Sequence, residues 1–205
     1  MKKLFLMAMM MMAFATSTMA QQHNLWELWT TPKAGVAVSN FSTHGGDFLI
    51  GPTGGANAEV FFNNHVSLIF DIGYSRQGSK NVYHTVNNER SGPYDYSFDM
   101  LNTEYLGRYY IGSHLALTAG LHLGRIIKAR SKFNGKTNDI KDQLHKGLVS
   151  IPAGFAINFG NLDLEAKYNF SLNKVPKTAQ AKAILGQCHE HLVQVTLGYR
   201  INVLW

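Results

Sequence analysis

The chain has one cysteine in 205 residues, Cys188, so no internal disulfide can form. It has only five prolines, and stretches with a helical period are nearly absent, which argues against a helical bundle. Beyond the N-terminal segment, no run is apolar enough to cross a membrane as a helix. Charge is not heavily one-sided either. There are 19 Lys and Arg against 13 Asp and Glu, and two of the cations, Lys2 and Lys3, belong to an N-terminal processing segment. The small remaining excess, with no basic helix to carry it, is no nucleic-acid signature. Glycine, by contrast, is plentiful, with 19 residues.

The N-terminus reads as an export signal. Lys2 and Lys3 precede an apolar, Met-rich run, Leu4–Phe14, and Thr18-Met19-Ala20 sets small residues at −3 and −1 of a cleavage site. A spanning helix needs about twenty apolar residues, roughly twice this run. Residues 1–20 are therefore expected to be a cleaved signal peptide and residues 21–205 a single domain. No cysteine follows the cleavage site, so a lipoprotein anchor is not suggested.

What the mature chain does have is alternation. In His191–Trp205, the odd positions His191, Val193, Val195, Leu197, Tyr199, Ile201, Val203 and Trp205 are mostly apolar. The even positions are mostly small or polar and include Arg200. Seven earlier segments follow the same rule: Pro32–Phe41, Thr53–Phe62, His65–Gly78, Met100–Ile111, Leu115–Ala129, Lys146–Phe159 and Leu162–Leu172. Short turns, Asn63-Asn64, Gly112-Ser113-His114 and Gly160-Asn161, alternate with long polar segments, Ser42–Pro52, Ser79–Phe98, Arg130–His145 and Asn173–Glu190.

Eight strands with short turns at one end and long loops at the other form an up-and-down meander. It closes either as a soluble lipocalin-type barrel, apolar inside, or as a membrane barrel, apolar outside. Three features favour the membrane. Gly73, Gly120, Gly124, Gly154 and Gly198 lie on the polar faces and suit a narrow eight-strand interior. Phe62, Tyr109, Phe159 and Trp205 end the apolar faces on the short-turn side, as an interfacial girdle would. The strand lengths also match the roughly 9–11 residues that a tilted strand needs to span a bilayer. The expectation is an all-β, eight-stranded antiparallel up-and-down transmembrane β-barrel in the cell outer membrane. Its last strand should pair with Pro32–Phe41, because lipid offers an open edge no partner. Both termini would be periplasmic and the four long segments extracellular.

Several motifs resemble the PorT-like outer-membrane β-barrel family of Bacteroidetes. They are Pro32-Lys33-Ala34-Gly35-Val36 with Ser39-Asn40-Phe41, the run Phe62–Leu68, Gly73–Gly78, Leu101–Leu106 with Arg108-Tyr109-Tyr110, Asp163–Asn169, and Leu197-Gly198-Tyr199-Arg200. One departure is that Thr103-Glu104-Tyr105 stands where that family often has an Ile-Pro pair. The resemblance implies insertion by the barrel assembly machinery, with the terminal aromatic as its signal. It implies no single activity, although one branch of the family serves type IX secretion.

Candidate chemistry falls in four places. Glu59, Asp71, Glu104, Arg108, Asp163, Glu165, Lys167 and Arg200 all face inward. They could line a gated pore or proton path, or pair into a plug. The plug is favoured because small barrels are filled by side chains and buried charges persist only when paired. Arg108 is expected to pair with Glu104 or Asp71, and Arg200 with Glu165.

Cys188, His189 and His191 set soft and imidazole ligands of the zinc or copper type close together, but they offer only three local ligands where a loop meets a strand. A polar loop end with a free thiol is the favoured reading, and no metal or cofactor is expected. Arg125, Lys128, Arg130, Lys132, Lys136 and Lys141 make the third long segment basic, with Asp139 and Asp142 interrupting. Contact with lipopolysaccharide phosphates is one reading, and an ordinary solvated loop is the favoured one. Arg125 falls on the lipid face near the rim, placed to snorkel. Finally, His44, Asp47, Ser79, His84, Asp95, Asp99 and His145 are scattered over separate segments without a catalytic spacing, so no enzyme is expected. The expected role is structural or surface-interacting, through loops that meet lipid, lipopolysaccharide or an envelope protein. A secretion accessory or a narrow solute channel is the alternative.

Overall fold

The computed structural model describes residues 26–41, 46–86, 89–144, 147–173 and 190–204. Among them, ten strands form one antiparallel sheet: β1 (Leu28–Phe41), β2 (Asp47–Phe61), β3 (Val66–Val86), β4 (Glu89–Ile111), β5 (Leu115–Phe133), β6 (Lys136–Asp139), β7 (Gly147–Phe159), β8 (Leu162–Ser171), β9 (Glu190–Tyr199) and β10 (Ile201–Leu204). β9 and β10 are one strand interrupted at Arg200, and β6 folds back on β5 as a short arm. The closed ring therefore has eight members, each paired with its chain neighbour.

Closure is as expected. β1 pairs β9 from Lys33↔Gly198 to Phe41↔Glu190, and β10 continues the seam through Trp29↔Asn202 and Leu28↔Leu204. The seam is tight: a Cβ on Gly35 would lie 2.0 Å from the Val195 carbonyl oxygen. Only glycine lets the two backbones meet there.

The short turns carry their own chemistry. Asn63 Oδ1 accepts hydrogen bonds from the His65 and Val66 amides, both at 2.8 Å. This is an Asx-type turn that stands in for backbone pairing. Gly160, at φ 60°, opens the tight link from β7 to β8.

Period-two alternation sets the faces. Along β5, Leu115, Leu117, Ala119, Leu121 and Leu123 point out, while Ala116, Thr118, His122 and Gly124 point in. On the outside, Leu68, Ile72, Tyr105, Leu117, Phe155 and Leu197 are each about half exposed. These residues form a belt around the ring, far larger than the apolar patches soluble monomers carry, which reach only a few hundred Å². Apolar outside and polar inside is the membrane solution of the meander. Phe62, Tyr109 and Phe159 end the belt on the short-turn side, joined by Trp26 and Tyr199.

The long segments differ from expectation. Ser79–Phe98 reads as a loop in the sequence, but β3 and β4 run on through most of it as a paired hairpin, with His84↔Ser91 still in register. These strands are 21 and 23 residues long, about twice what spanning requires. β2 likewise starts at Asp47, inside the expected Ser42–Pro52 loop, and β5–β6 make a hairpin of Arg130–Asp139. The cause is that strands standing clear of the bilayer need no lipid-facing apolar side, so the apolar-outside alternation that marks the spanning segments stops there.

The expected signal peptide, His44, His145, Cys188, His189 and Trp205 lie outside the described residues, as do the side chains of His84 and Glu190.

Candidate functional site

Two regions concentrate chemistry: the barrel interior and the outer wall of the extended hairpins.

All eight inward charges named from the sequence are buried in the interior. Their partners differ from those expected. Arg108, on β4, reaches across the barrel to β8, with Nη2 3.0 Å from Glu165 Oε1 and Nη1 3.2 Å from Asp163 Oδ2. It also lies 3.6 Å from Glu59 Oε2. It pairs with neither Glu104 nor Asp71.

Arg200 turns to Glu59 at 3.7 Å rather than to Glu165, donates to the Tyr110 hydroxyl at 3.3 Å, and lies 4.8 Å from the Trp29 ring centre. Glu59 also accepts from Ser67 Oγ (2.5 Å) and the Tyr110 hydroxyl (2.6 Å). Glu104 is held by Lys167 and by His122 Nδ1 at 3.1 Å.

Lys33, absent from the sequence-derived set, pairs with Asp71 and lies 3.1 Å from Glu165. Its signal was its parity: it shares a face with Gly35, Ala37 and Ser39, opposite the outward Val36 and Val38. Glu165 joins the groups into one network, touching Arg108, Lys33 and Lys167. The network holds five carboxylates, four Lys or Arg side chains and His122, contributed by every ring strand except β7.

Apolar clusters accompany the network. Phe61, Tyr110, Ala116 and Ala156 pack among its members on the short-turn side, with Arg200 over the Phe61 and Tyr110 rings. Toward the long segments lie Val82, Tyr96, Phe98, Met100, Ile126, Ala129, Leu144 and Leu148. Interior cavities of about 10 and 20 Å³ remain, each with room for about one water.

The outer wall depends on a register change. β5 is one residue longer than β4 between Asp99↔Lys128 and Met100↔Ile126, and the bulged residue is Ile127. A bulge re-aims the side chains beyond it. Here it turns Ala129 and Ser131 inward, and Lys128, Arg130 and Lys132 outward. Three rows cross the outer face. Arg76, Asp99 and Lys128 form the first, directly above Tyr74 and Leu101 of the apolar belt. Gly78, Ser97 and Arg130 form the second, and Asp95 and Lys132 lie in the third, near Lys80.

A groove of about 490 Å³ runs through them. Arg76 is committed within it: Nε lies 2.8 Å from Asp99 Oδ1, which also accepts from the Tyr74 hydroxyl at 2.7 Å. Partial burial alone would lift the Asp99 pKa, but the hydrogen bonds from Arg76 and Tyr74 and the Arg76 charge outweigh it, holding the carboxyl below its ordinary range. Arg125 faces out just beyond Leu123, at the rim as expected.

The described members of the scattered catalytic set make hydrogen bonds to neighbouring segments. Asp47 Oδ2 accepts from Asn81 Nδ2 at 2.7 Å, Asp95 accepts from the Asn81 amide at 3.1 Å, and Ser79 Oγ donates to Asn40 Oδ1 at 2.9 Å. His191 Nδ1 lies 2.5 Å from the Tyr168 hydroxyl on the outer face. Among the described residues no three His, Cys, Asp or Glu side chains gather in a metal-binding group.

A closed meander with an apolar belt outside and paired charges inside defines a transmembrane β-barrel of the outer-membrane class. The chain belongs to the family described as the outer membrane protein beta-barrel domain, whose profile matches residues 19–176. Its fold is similar to that of Ail, the attachment invasion locus protein of Yersinia pestis. The two share 19% identity over 85% of this chain and 99% of that one, with a TM-score of 0.52. The same protein in complex with the heparin analogue sucrose octasulfate aligns at 18% identity over 85% and 99%, with a TM-score of 0.50. Neisserial surface protein A is similar at 16% identity over 86% and 97%, also with a TM-score of 0.50. No curated protein matches the sequence. At these identities the likeness shows the fold alone.

Proposed function

We propose that the protein is a plugged outer-membrane barrel that acts through its outer extensions as a surface-interaction module rather than as a channel or enzyme. The observation that carries this reading is the contrast between its two regions. Ten paired or hydrogen-bonded ionisable side chains occupy the interior, with an apolar cluster over them toward the long segments and cavities of about 10 and 20 Å³ among them. The hairpins extend well past the apolar belt and present unsatisfied cations on their outer wall. A channel needs an open, water-filled lumen instead.

In this reading both termini and the short turns face the periplasm, residues 1–20 are removed on export, and the hairpins project from the cell. The order of motifs from Pro32 to Arg200 supports placing the chain among PorT-like barrels. A polyanionic surface molecule is the class of partner that the basic wall suits. The complex of Ail with a heparin analogue shows that a barrel of this fold is compatible with polyanion binding.

The test is an epitope inserted between Asn134 and Gly135, the exposed turn of the β5–β6 hairpin. Antibody labelling of intact cells is expected. Labelling only after permeabilisation would overturn the orientation and with it the role.

A further inference from the structure

The groove on the outer wall specifies its ligand further than charge alone does. Its cations come from two hairpins: Arg76 and Lys80 on β3, Arg130 and Lys132 on β5. Only Arg76 has a carboxylate within ion-pair distance. Lys80, Arg130 and Lys132 have none among the described residues, and the groove's own acid is Asp95. The lining hydroxyls of Ser97 and Thr137 add donors.

The groove is amphipathic. Ile50, 68% exposed, lines its β2 side, and Phe48, 64% exposed, follows on the same strand. Neither side chain has reason to stand bare in bulk water beside a row of cations. Ile50, registered with the apolar Val38, lies nearer the belt and fits where acyl chains give way to headgroups, whereas Phe48, registered with Ser79, stands close to the third row.

Height above the belt decides the kind of lipid. The first row, Arg76 with Lys128, lies two residues beyond Tyr74 and Leu101, and the third row lies six beyond. At about 3.3 Å per residue and a tilt of roughly 40°, the rows stand about 5 Å and about 15 Å above the belt edge. The polar layer of a phospholipid leaflet is only about 5–8 Å deep. A single-phosphate phospholipid would meet the first row and leave the third with two lysines, Lys80 and Lys132, against the single carboxylate of Asp95. A head that carries anionic groups up the whole ladder must be taller.

We propose that this groove binds the phosphorylated saccharide headgroup of an outer-leaflet glycolipid, with Lys80, Arg130 and Lys132 engaging its phosphates and Ile50 resting at the acyl boundary. The proposal rests on the outward orientation argued above.

The test uses the folded, purified barrel in detergent and four probes: deep-rough lipopolysaccharide (lipid A with its inner core), the same lipid dephosphorylated, phosphatidylglycerol, and sucrose octasulfate. Binding is read by native mass spectrometry across a salt series. The intact lipopolysaccharide is expected to bind at least tenfold more tightly than the dephosphorylated form or phosphatidylglycerol, and to weaken as salt rises. The variant Lys80→Gln/Arg130→Gln/Lys132→Gln should lose at least tenfold. Lys136→Gln/Lys141→Gln, which removes cations outside the groove, should bind like the parent.

Equal binding by the triple variant, or by phosphatidylglycerol, would overturn the proposal. So would tighter binding of sucrose octasulfate, which would mark a site for soluble sulfated glycans. The epitope test separates the two levels. External labelling without lipopolysaccharide binding sinks the glycolipid site and leaves the surface role standing, while labelling only after permeabilisation sinks both.

Discussion

Single residues show how tightly the interior is matched. Arg108 is fully buried among Glu59, Asp163 and Glu165. Replacing it with Met would fill the space but leave Asp163 without a cation. Removing one partner of a buried pair costs about 3–5 kcal/mol. Arg108→Met should lose stability on that scale in denaturant unfolding in micelles, and parent-like stability would contradict the pairing. Arg200→Ala should also destabilise, through Glu59, Tyr110 and the Trp29 face.

At the rim the effect is small and depends on pH. The Asp99 pKa is depressed in the folded state, so its contribution is complete above the unfolded value, about 4, and fades as pH falls through the folded value. Arg76 is 41% exposed, which keeps the pair below about 1 kcal/mol. The melting temperature of Asp99→Asn should lie slightly below the parent's at pH 7, with the gap closing below about pH 4.

Inward placement of all these charges was legible from parity. Their pairing was not, because Arg108 on β4 meets Asp163 and Glu165 on β8 across the lumen, and alternation along a strand carries no information about what lies opposite. Lys33 escaped notice because Pro32 and Ala34, its outward neighbours, are too small to mark a lipid face.

At the level of elements, spanning segments and projecting segments obey different rules. Within the membrane each strand must bury polar groups on one side and meet lipid on the other, so the sequence alternates and its faces can be read directly. Beyond the belt that constraint lapses, and the outer halves of β3 and β4 read as polar loops while pairing as strands. The inward side chains there, Tyr96 and Phe98, still alternate with polar residues, a faint signal that Asp95, Ser97 and Asp99 conceal.

The basic wall was half visible for a related reason. Arg130 and Lys132 were in view, but only the bulge at Ile127 aims them outward with Lys128, and only strand pairing brings up Arg76 and Lys80. Ser79 and Tyr96 are registered partners. Replacing residues 80–95 with Asn-Gly should therefore close the hairpin as a two-residue turn. The shortened protein should still fold and migrate differently unboiled and boiled, with a lower melting temperature because Val82 and Tyr94 leave the apolar cluster over the lumen. Loss of the gel shift would mean that the extension is needed to form the barrel.

For the whole molecule, the architecture separates two tasks. The belt and the seam between β1 and β9 fix the protein in the outer membrane, and under the proposed function a filled lumen would free the hairpins from any duty as a channel mouth. An eight-strand ring leaves little room inside, and here ten ionisable side chains and two apolar clusters take it up.

The most direct measurement of this account is conductance of the folded protein in planar lipid bilayers. Insertion without steady current steps is the predicted result, with steps appearing, if at all, only when the network is broken, as in Arg108→Ala. Stable, ion-selective steps from the unaltered protein would contradict the plugged barrel and restore the channel reading.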